Sequence, residues 1–358
     1  VFHDDQHGTA IISAAGIINA CELSGKDIKA LKVVVNGAGA AGIAVLELLK
    51  AMGVQHDNAI LCDSKGVIYK DRDHGMNQWK SAHAADTDAR TLDEAMNGAD
   101  CFIGLSVKGA VTKEMVRSMA ADPIIFAMAN PDPEITPEEV REARSDAIMA
   151  TGRSDYPNQV NNVLGFPYMV RGALDVRART INEDMKIAAA QALAELARED
   201  VPDEVAAAYH GARPTFGKEY IIPAPFDPRL ISHVPPYVAQ AAMESGVARK
   251  PISDMEQYKA ALARRLDPTA AILQPIQDDV RAGERKMIVF AEGEEPSVIR
   301  AAYAFQNQGL GEAILIGREE TVHANMRLLG VQSDAIRIVN ARLSDKNADY
   351  ADFLFHRL

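Results

Sequence analysis

Val33-Val34-Val35-Asn36-Gly37-Ala38-Gly39-Ala40-Ala41-Gly42 sets an apolar run directly before a Gly-x-Gly-x-x-Gly loop, and Ile43, Leu46, Leu49 and Lys50 continue it with helical spacing. A short strand running into a glycine loop that opens a helix is the context in which this spacing holds a dinucleotide. The glycines supply a tight turn, a close approach of backbone to pyrophosphate and tight helix packing, with the phosphates at the helix N-terminus. Gly37, Gly39, Ala40, Ala41 and Gly42 are therefore the candidate cofactor contacts. Asp63 ends the next apolar run, 21 residues past Gly42, and is expected beside the adenosine ribose. Ser64 and Lys65, directly after it, suit a 2′-phosphate and tilt the expectation towards NADP, with NAD as the alternative.

Further short apolar runs follow at Ile60-Leu61-Cys62, Cys101-Phe102-Ile103, Ile124-Ile125-Phe126-Ala127 and Ala147-Ile148-Met149, alternating with helical patterns as far as about Gly152. That alternation predicts an α/β fold, a doubly wound parallel sheet of Rossmann type. Asn182 caps a helical run through Met185, Ile187, Leu193 and Leu196, and the prolines Pro214, Pro223, Pro225, Pro228, Pro235 and Pro236 mark irregular chain before a helix running to about Val247. Residues from about 251 to 285 read as a helical connector. Beyond it the pattern restarts as strand Met287 to Phe290, helix Pro296 to Gln306, strand Ala313 to Ile316, a helix and strand Ile336 to Val339, a second α/β unit too short to complete a typical domain. The expected division is 1–250, 251–285 and 286–358.

Composition narrows the function. The 358 residues, 47% of them apolar, bury a sizeable core, and 50 acidic against 38 basic residues give a net charge of −12 with no basic block to attract nucleic acid. Small molecules are the expected partners. Cys21, Cys62 and Cys101 stand far apart with no C-x-x-C, which fits neither a disulfide framework nor a thiolate zinc site and points to a reducing cytoplasm. The longest uncharged stretch, Gly8 to Cys21, is too short to span a bilayer and reads as a buried helix.

Phe2-His3-Asp4-Asp5-Gln6-His7-Gly8-Thr9 lies about thirty positions upstream of the glycine loop. Asp4 and Asp5 offer hard oxygen ligands of the kind Mg²⁺ or Mn²⁺ prefers. Two other readings stay open: the pair caps a helix N-terminus, or His3 and His7, spaced i,i+4, ligate zinc. Gly25-Lys26 is a surface turn, because Asp27 stands where a phosphate loop needs Ser or Thr. Asn130-Pro131 follows the run Ile124 to Ala129, and Asn161-Asn162 sits inside Gly152 to Val163. Amides beyond the carboxyl ends of strands can reach a substrate carboxylate, although Asn beside Pro also simply forms turns.

Taken together, Phe2 to Thr9, the glycine loop, Asp63-Ser64-Lys65-Gly66, Ala127-Met128-Ala129-Asn130-Pro131 and Thr151 to Phe166 resemble the bacterial malic enzymes, over roughly residues 1 to 250. The stretch Phe290-Ala291-Glu292-Gly293-Glu294-Glu295-Pro296 resembles the start of a phosphate acetyltransferase domain, a combination similar to the hybrid malic enzymes. The resemblance implies oxidative decarboxylation of (S)-malate to pyruvate and CO₂ with NADP and Mg²⁺ or Mn²⁺. It implies that Asp5 is a metal ligand, that Asp4 orients a catalytic lysine, that Asn130 and Asn162 hold malate, and that Asn161 lies on the nicotinamide side. It also implies that the acetyltransferase-like part senses acetyl-CoA and serves assembly into a homo-oligomer. The family's tyrosine acid, lysine base and Glu-Asp metal pair precede the motif at which Val1 starts, so the expectation is a fragment or processed product that binds nucleotide and turns over malate poorly. The rivals are a non-decarboxylating Rossmann dehydrogenase and a non-catalytic regulatory or oligomerisation module.

Overall fold

The structure, a computed structural model, describes residues 2–201, 214–265, 276, 279–307, 309–329, 331 and 336–357. Two compact units divide the chain, Val1–Leu266 and Asp267–Leu358. In the first, helix α1 (Thr9–Ser24) precedes strand β1 (Val33–Asn36), helix α2 (Ala40–Ala51), and strands β2 (Ala59–Asp63), β3 (Gly66–Val67), β4 (Cys101–Gly104), β5 (Ile124–Ala127) and β6 (Ile148–Thr151). They form one sheet in the order β3-β2-β1-β4-β5-β6. Val33 of β1 pairs with Ala59 on one side and Cys101 on the other, and every pairing is parallel except β2 with β3. The doubly wound sheet expected from the alternating runs is present, with one short antiparallel edge that the sequence did not announce.

Successive side chains of these strands face opposite sides, and both sides are covered. Val33, Val35, Ile103 and Phe126 join α1, α2 and the helices Phe166–Asp175, Glu183–Arg198 and Leu230–Glu244 in one core. Val34, Phe102 and Ile125 join the smaller helices Leu92–Met96, Lys113–Ser118 and Pro137–Ala143 in the other. Helix α1 lies against the sheet so closely that a Cβ on Gly16 would stand 2.6 Å from the Phe126 ring. Its Asn19 is fully buried but satisfied: the amide donates to the carbonyls of Ala194 (2.9 Å) and Ile221 (2.8 Å) and accepts from Arg198 (2.7 Å). Asn182 caps the helix Glu183–Arg198 as expected, accepting from the Met185 N–H.

One expectation is corrected. Pro235 and Pro236 lie inside the helix Leu230–Glu244 rather than in irregular chain. Each removes an intrahelical donor, at a cost of about 3 kcal/mol in an isolated helix. Burial offsets it here: both prolines are buried, and the segment seats on Gly172, where a Cβ would stand 2.6 Å from the Pro235 carbonyl. The helix Met255–Ala263 belongs to the start of the expected connector; residues 266–275, in its middle, lie outside the described residues.

The second unit has a three-stranded parallel sheet, β7 (Met287–Phe290), β8 (Glu312–Ile316) and β9 (Arg337–Val339), in that order. Ile299, Ala302, Ala313, Leu315, Val322 and Met326 form its core. Among the described residues no helix is long and apolar enough to cross a membrane.

Two predictions follow from the packing. Gly42, in the first turn of α2, has no space for a side chain, because its Cβ would stand 1.9 Å from the Gly37 carbonyl oxygen. Gly42→Ala is expected to destabilise the unit by about 1–3 kcal/mol, read from urea unfolding; unchanged stability would contradict the packing. His83 is buried beside Lys50, whose ammonium lies 3.1 Å from His83 Nδ1 and 3.0 Å from His56 Nδ1, with Glu47 3.7 Å from His83 Nε2. Burial, then the charges of Lys50 and His56, lower the His83 pKa from 6.5 to about 4. The unfolded chain therefore binds this proton more readily, so the stability is fully present above pH 6.5 and is lost as pH falls towards 4. His83→Gln should flatten the melting temperature across that window, and an unaltered slope would sink the assignment.

Candidate active site

At the carboxyl ends of β1, β4, β5 and β6 opens a cleft of about 570 Å³. Its lining includes Asp4, Asp5 and Thr9 from the N-terminal segment, Ala41 from the glycine loop, Leu105 beyond β4, Met128 and Asn130 beyond β5, and Gly152, Asn161 and Asn162 beyond β6. This is where doubly wound sheets bind ligands, at the switch point between β1 and β4. Six of the residues singled out from the sequence thus meet on one surface: Asp4, Asp5, Ala41, Asn130, Asn161 and Asn162.

Asp4 to Gly8 form a single wide turn leading into α1. Neither carboxylate caps it, for no side-chain cap bond is made at His3 or at Gly8, so the capping reading is not what these residues do. Asp5 is open to solvent, its side chain 86% exposed, with His3 Nδ1 4.0 Å away. Asp4 Oδ1 is buried without a hydrogen-bond partner. Burial, then repulsion from Asp5, push the Asp4 carboxyl above its ordinary pKa, while His3 pulls the other way. His7 stacks on Phe2 (4.8 Å between ring centroids), and its Nδ1 lies 3.0 Å from the His3 backbone N–H.

The doublet is fastened to the amide pair. The Thr9 hydroxyl lies 2.9 Å from the Asp5 carbonyl and 3.1 Å from Asn162 Oδ1, which leaves the Asn162 NH₂ group towards the Asp4 carbonyl at 3.4 Å. Asn161 Oδ1 accepts from the Val163 N–H, holding the turn that follows. Ser13 of α1 reaches the Met128 sulfur at 3.7 Å, tying the helix to the loop that carries Asn130.

Among the described residues no group of three or more His, Cys, Asp or Glu side chains converges. A small divalent cation commonly takes one or two protein carboxylates and fills its remaining positions with substrate and water. Exposed Asp5, backed by an unpartnered Asp4 oxygen, fits that partial role.

Asp63, Ser64 and Lys65 do not line the cleft. Asp63 closes β2, and its carboxylate accepts from Arg72 (2.9 and 3.0 Å), from Lys80 (2.7 Å) and from the Lys65 backbone N–H (2.9 Å). Burial acts to raise its pKa, but the bonds from Lys80 and Arg72 outweigh it and hold the carboxyl below the usual range. Arg72 is itself buried, donating further to the carbonyls of Val67 and His74. Ser64 and Lys65 are exposed. Arg72 and Lys80 carry no signal in the sequence: they come nine and seventeen residues after Asp63, and no local spacing distinguishes them from solvated cations. Nor does Glu134, a buried acid behind the cleft that precedes Glu138 and Glu139 with nothing in the pattern to separate it from them.

Comparison with known proteins gives the family. A family model described as malic enzyme, NAD binding domain, matches residues 6–208, and one described as phosphate acetyl/butaryl transferase matches residues 271–358. The chain is 66% identical over 360 residues to an NADP-dependent malic enzyme of Rhizobium meliloti, covering 100% of this chain and 47% of that protein. It is 47% identical over 358 residues to an NAD-dependent malic enzyme of the same organism, covering 99% of this chain and 46% of the relative. The crystal structure of malic enzyme from Pyrococcus horikoshii matches with a TM-score of 0.67 at 37% identity, over 78% of this chain and 63% of the other. The chain spans about half the length of the curated relatives it matches. With the glycine loop inside the matched range and relatives of this identity along the whole chain, the chain belongs to the malic enzyme family through its NAD-binding domain, followed by a phosphate acetyltransferase-like part.

Proposed function

We propose that the intact protein carries out the oxidative decarboxylation of (S)-malate to pyruvate and CO₂ with NADP and Mg²⁺ or Mn²⁺. The observation that carries this reading is the shared cleft, in which an exposed carboxylate, three amides beyond the strand ends and Ala41 of the glycine loop face one volume. When bound, NADP would take up the hydride from malate C2, and a divalent cation held by Asp5 would polarise the new keto group so that CO₂ could leave. Asp5 offers the cation an oxygen at the cleft surface. Asn130 and Asn162 direct hydrogen-bond donors at malate carboxylate oxygens, and Asn161 borders the nicotinamide side. Asp4 is a positioning residue, its unpartnered oxygen available to a cationic side chain, as the resemblance implies for a lysine. Gly37, Gly39, Ala40, Ala41 and Gly42 cradle the pyrophosphate.

The curated relatives include both NADP- and NAD-dependent malic enzymes, so cofactor choice turns on this chain's own residues. With both oxygens engaged by Arg72 and Lys80, Asp63 repels a 2′-phosphate less than a free carboxylate would. Lys80, with Ser64 and Lys65 directly after Asp63, supplies positive charge for it. NADP is the better fit. We further propose 251–285 as the connector, 286–358 as a regulatory and assembly part responsive to acetyl-CoA, a homo-oligomeric state, and a cytoplasmic location consistent with three buried free cysteines.

In the intact protein, Asp5→Asn should lower malate-dependent NADPH formation by at least about 100-fold while NADPH binding, followed by its fluorescence, is retained. Activity that persists in this variant, or in the parent protein under EDTA, would refute the metal assignment. Lys80→Gln should raise the KM for NADP about tenfold, the value of a lost charge-assisted bond, and leave the KM for NAD nearly unchanged. Equal changes for the two cofactors would show that Lys80 does not read the phosphate.

A further inference from the structure

We propose that Glu134 is a positioning residue that sets the spacing between the malate side of the cleft and the dinucleotide side. Its side chain is fully buried behind the cleft wall. Oε1 accepts from the Ser106 backbone N–H at 2.7 Å and from the Ser106 hydroxyl at 3.0 Å, and Oε2 accepts from the Ala129 N–H at 3.1 Å. Gly104, the last residue of β4, leaves the space for it: a Cβ there would stand 2.3 Å from the Glu134 carboxyl carbon.

Two backbone peptides therefore hang on one carboxylate. The first joins Leu105 to Ser106. Its carbonyl forms the wall beside the glycine loop, since a Cβ on Gly37 would stand 2.4 Å from the Leu105 oxygen. The Ser106 oxygen also accepts from the Asn36 amide at 2.9 Å, and Asn36 directly precedes Gly37. The second peptide joins Met128 to Ala129, immediately before Asn130; Met128 and Asn130 both line the cleft, as does Leu105. Glu134 does not line it. A buried carboxylate gripping N–H donors makes the stronger class of hydrogen bond, and removing one partner leaves a buried donor unmatched. Beyond the backbone ladder, in which Leu105 N–H donates to the Asn36 carbonyl (2.8 Å) and Met128 N–H to the Gly104 carbonyl (3.0 Å), Asn130 and the glycine loop are thus cross-braced by a group that touches neither ligand.

This inference rests on Asn130 contacting malate, as proposed above, and its test separates the two. In the intact protein Glu134→Gln keeps an oxygen for Ser106 but turns an NH₂ group towards the Ala129 N–H. The expected result is a rise of about tenfold in the malate KM, with NADPH binding changed by less than about twofold. Ser106→Ala, which cuts the link to Asn36 and leaves Ala129 held, should show the reverse: weaker NADPH binding and an unchanged malate KM. Asn130→Ala serves as the reference for the malate contact. If Asn130→Ala leaves the malate KM unchanged, the substrate reading falls and this inference falls with it. If Asn130→Ala raises it while folded Glu134→Gln does not, the coupling alone is overturned. Should Glu134→Gln fail to fold, Ser106→Ala decides, because equal losses for malate and NADPH, or none, overturn the proposal.

Discussion

The close approach of α1 to the sheet, at Gly16 against Phe126, is the constraint on which the rest of the site depends. A helix preceding β1 is not a required part of a dinucleotide fold. By burying nearly its whole circumference between the sheet and the helix Glu183–Arg198, α1 fixes where its N-terminal turn emerges, and that turn carries Asp4 and Asp5. Thr9 then fastens the turn to Asn162, and Ser13 fastens the helix to Met128. An acidic pair that would otherwise be a surface feature becomes one wall of the cleft at the strand ends.

The site also separates two uses of carboxylates by their surroundings. Asp63 and Glu134 are engaged by donors on both oxygens and act as structural anchors. Asp5 is exposed, and Asp4 keeps a buried oxygen without a partner. Buried acceptors are normally satisfied, so an orphan oxygen beside an exposed acid marks the place where chemistry from outside the chain belongs. The net charge of −12 gives no hint of this division, because it is local pairing that decides each acid's role.

Much of the fold was legible because its signals are local. β1, the glycine loop and α2 are consecutive in sequence, and the Asn182 cap is satisfied by a bond to Met185, three residues on. What was not legible depends on contacts between distant segments. Pro235 and Pro236 read as breakers, yet packing against Gly172 keeps them helical. The antiparallel β3 is two residues long and leaves no periodicity. Arg72 and Lys80 reach Asp63 after β3 has turned the chain back along β2. In the site, the glycine loop and the paired amides announced themselves by type and spacing, whereas Glu134 is defined wholly by which peptides it holds.

Asp5 and the glycine loop are proposed to serve one bound assembly of metal, malate and nucleotide. Anomalous diffraction at the manganese edge, from crystals of the intact protein grown with Mn²⁺ and NADPH, tests it most directly. The expected result is a manganese peak within about 2–2.5 Å of an Asp5 oxygen, in the same cleft as a nicotinamide whose pyrophosphate rests on Gly37 to Gly42. A manganese site remote from Asp5, or a nucleotide bound away from that loop, would contradict it.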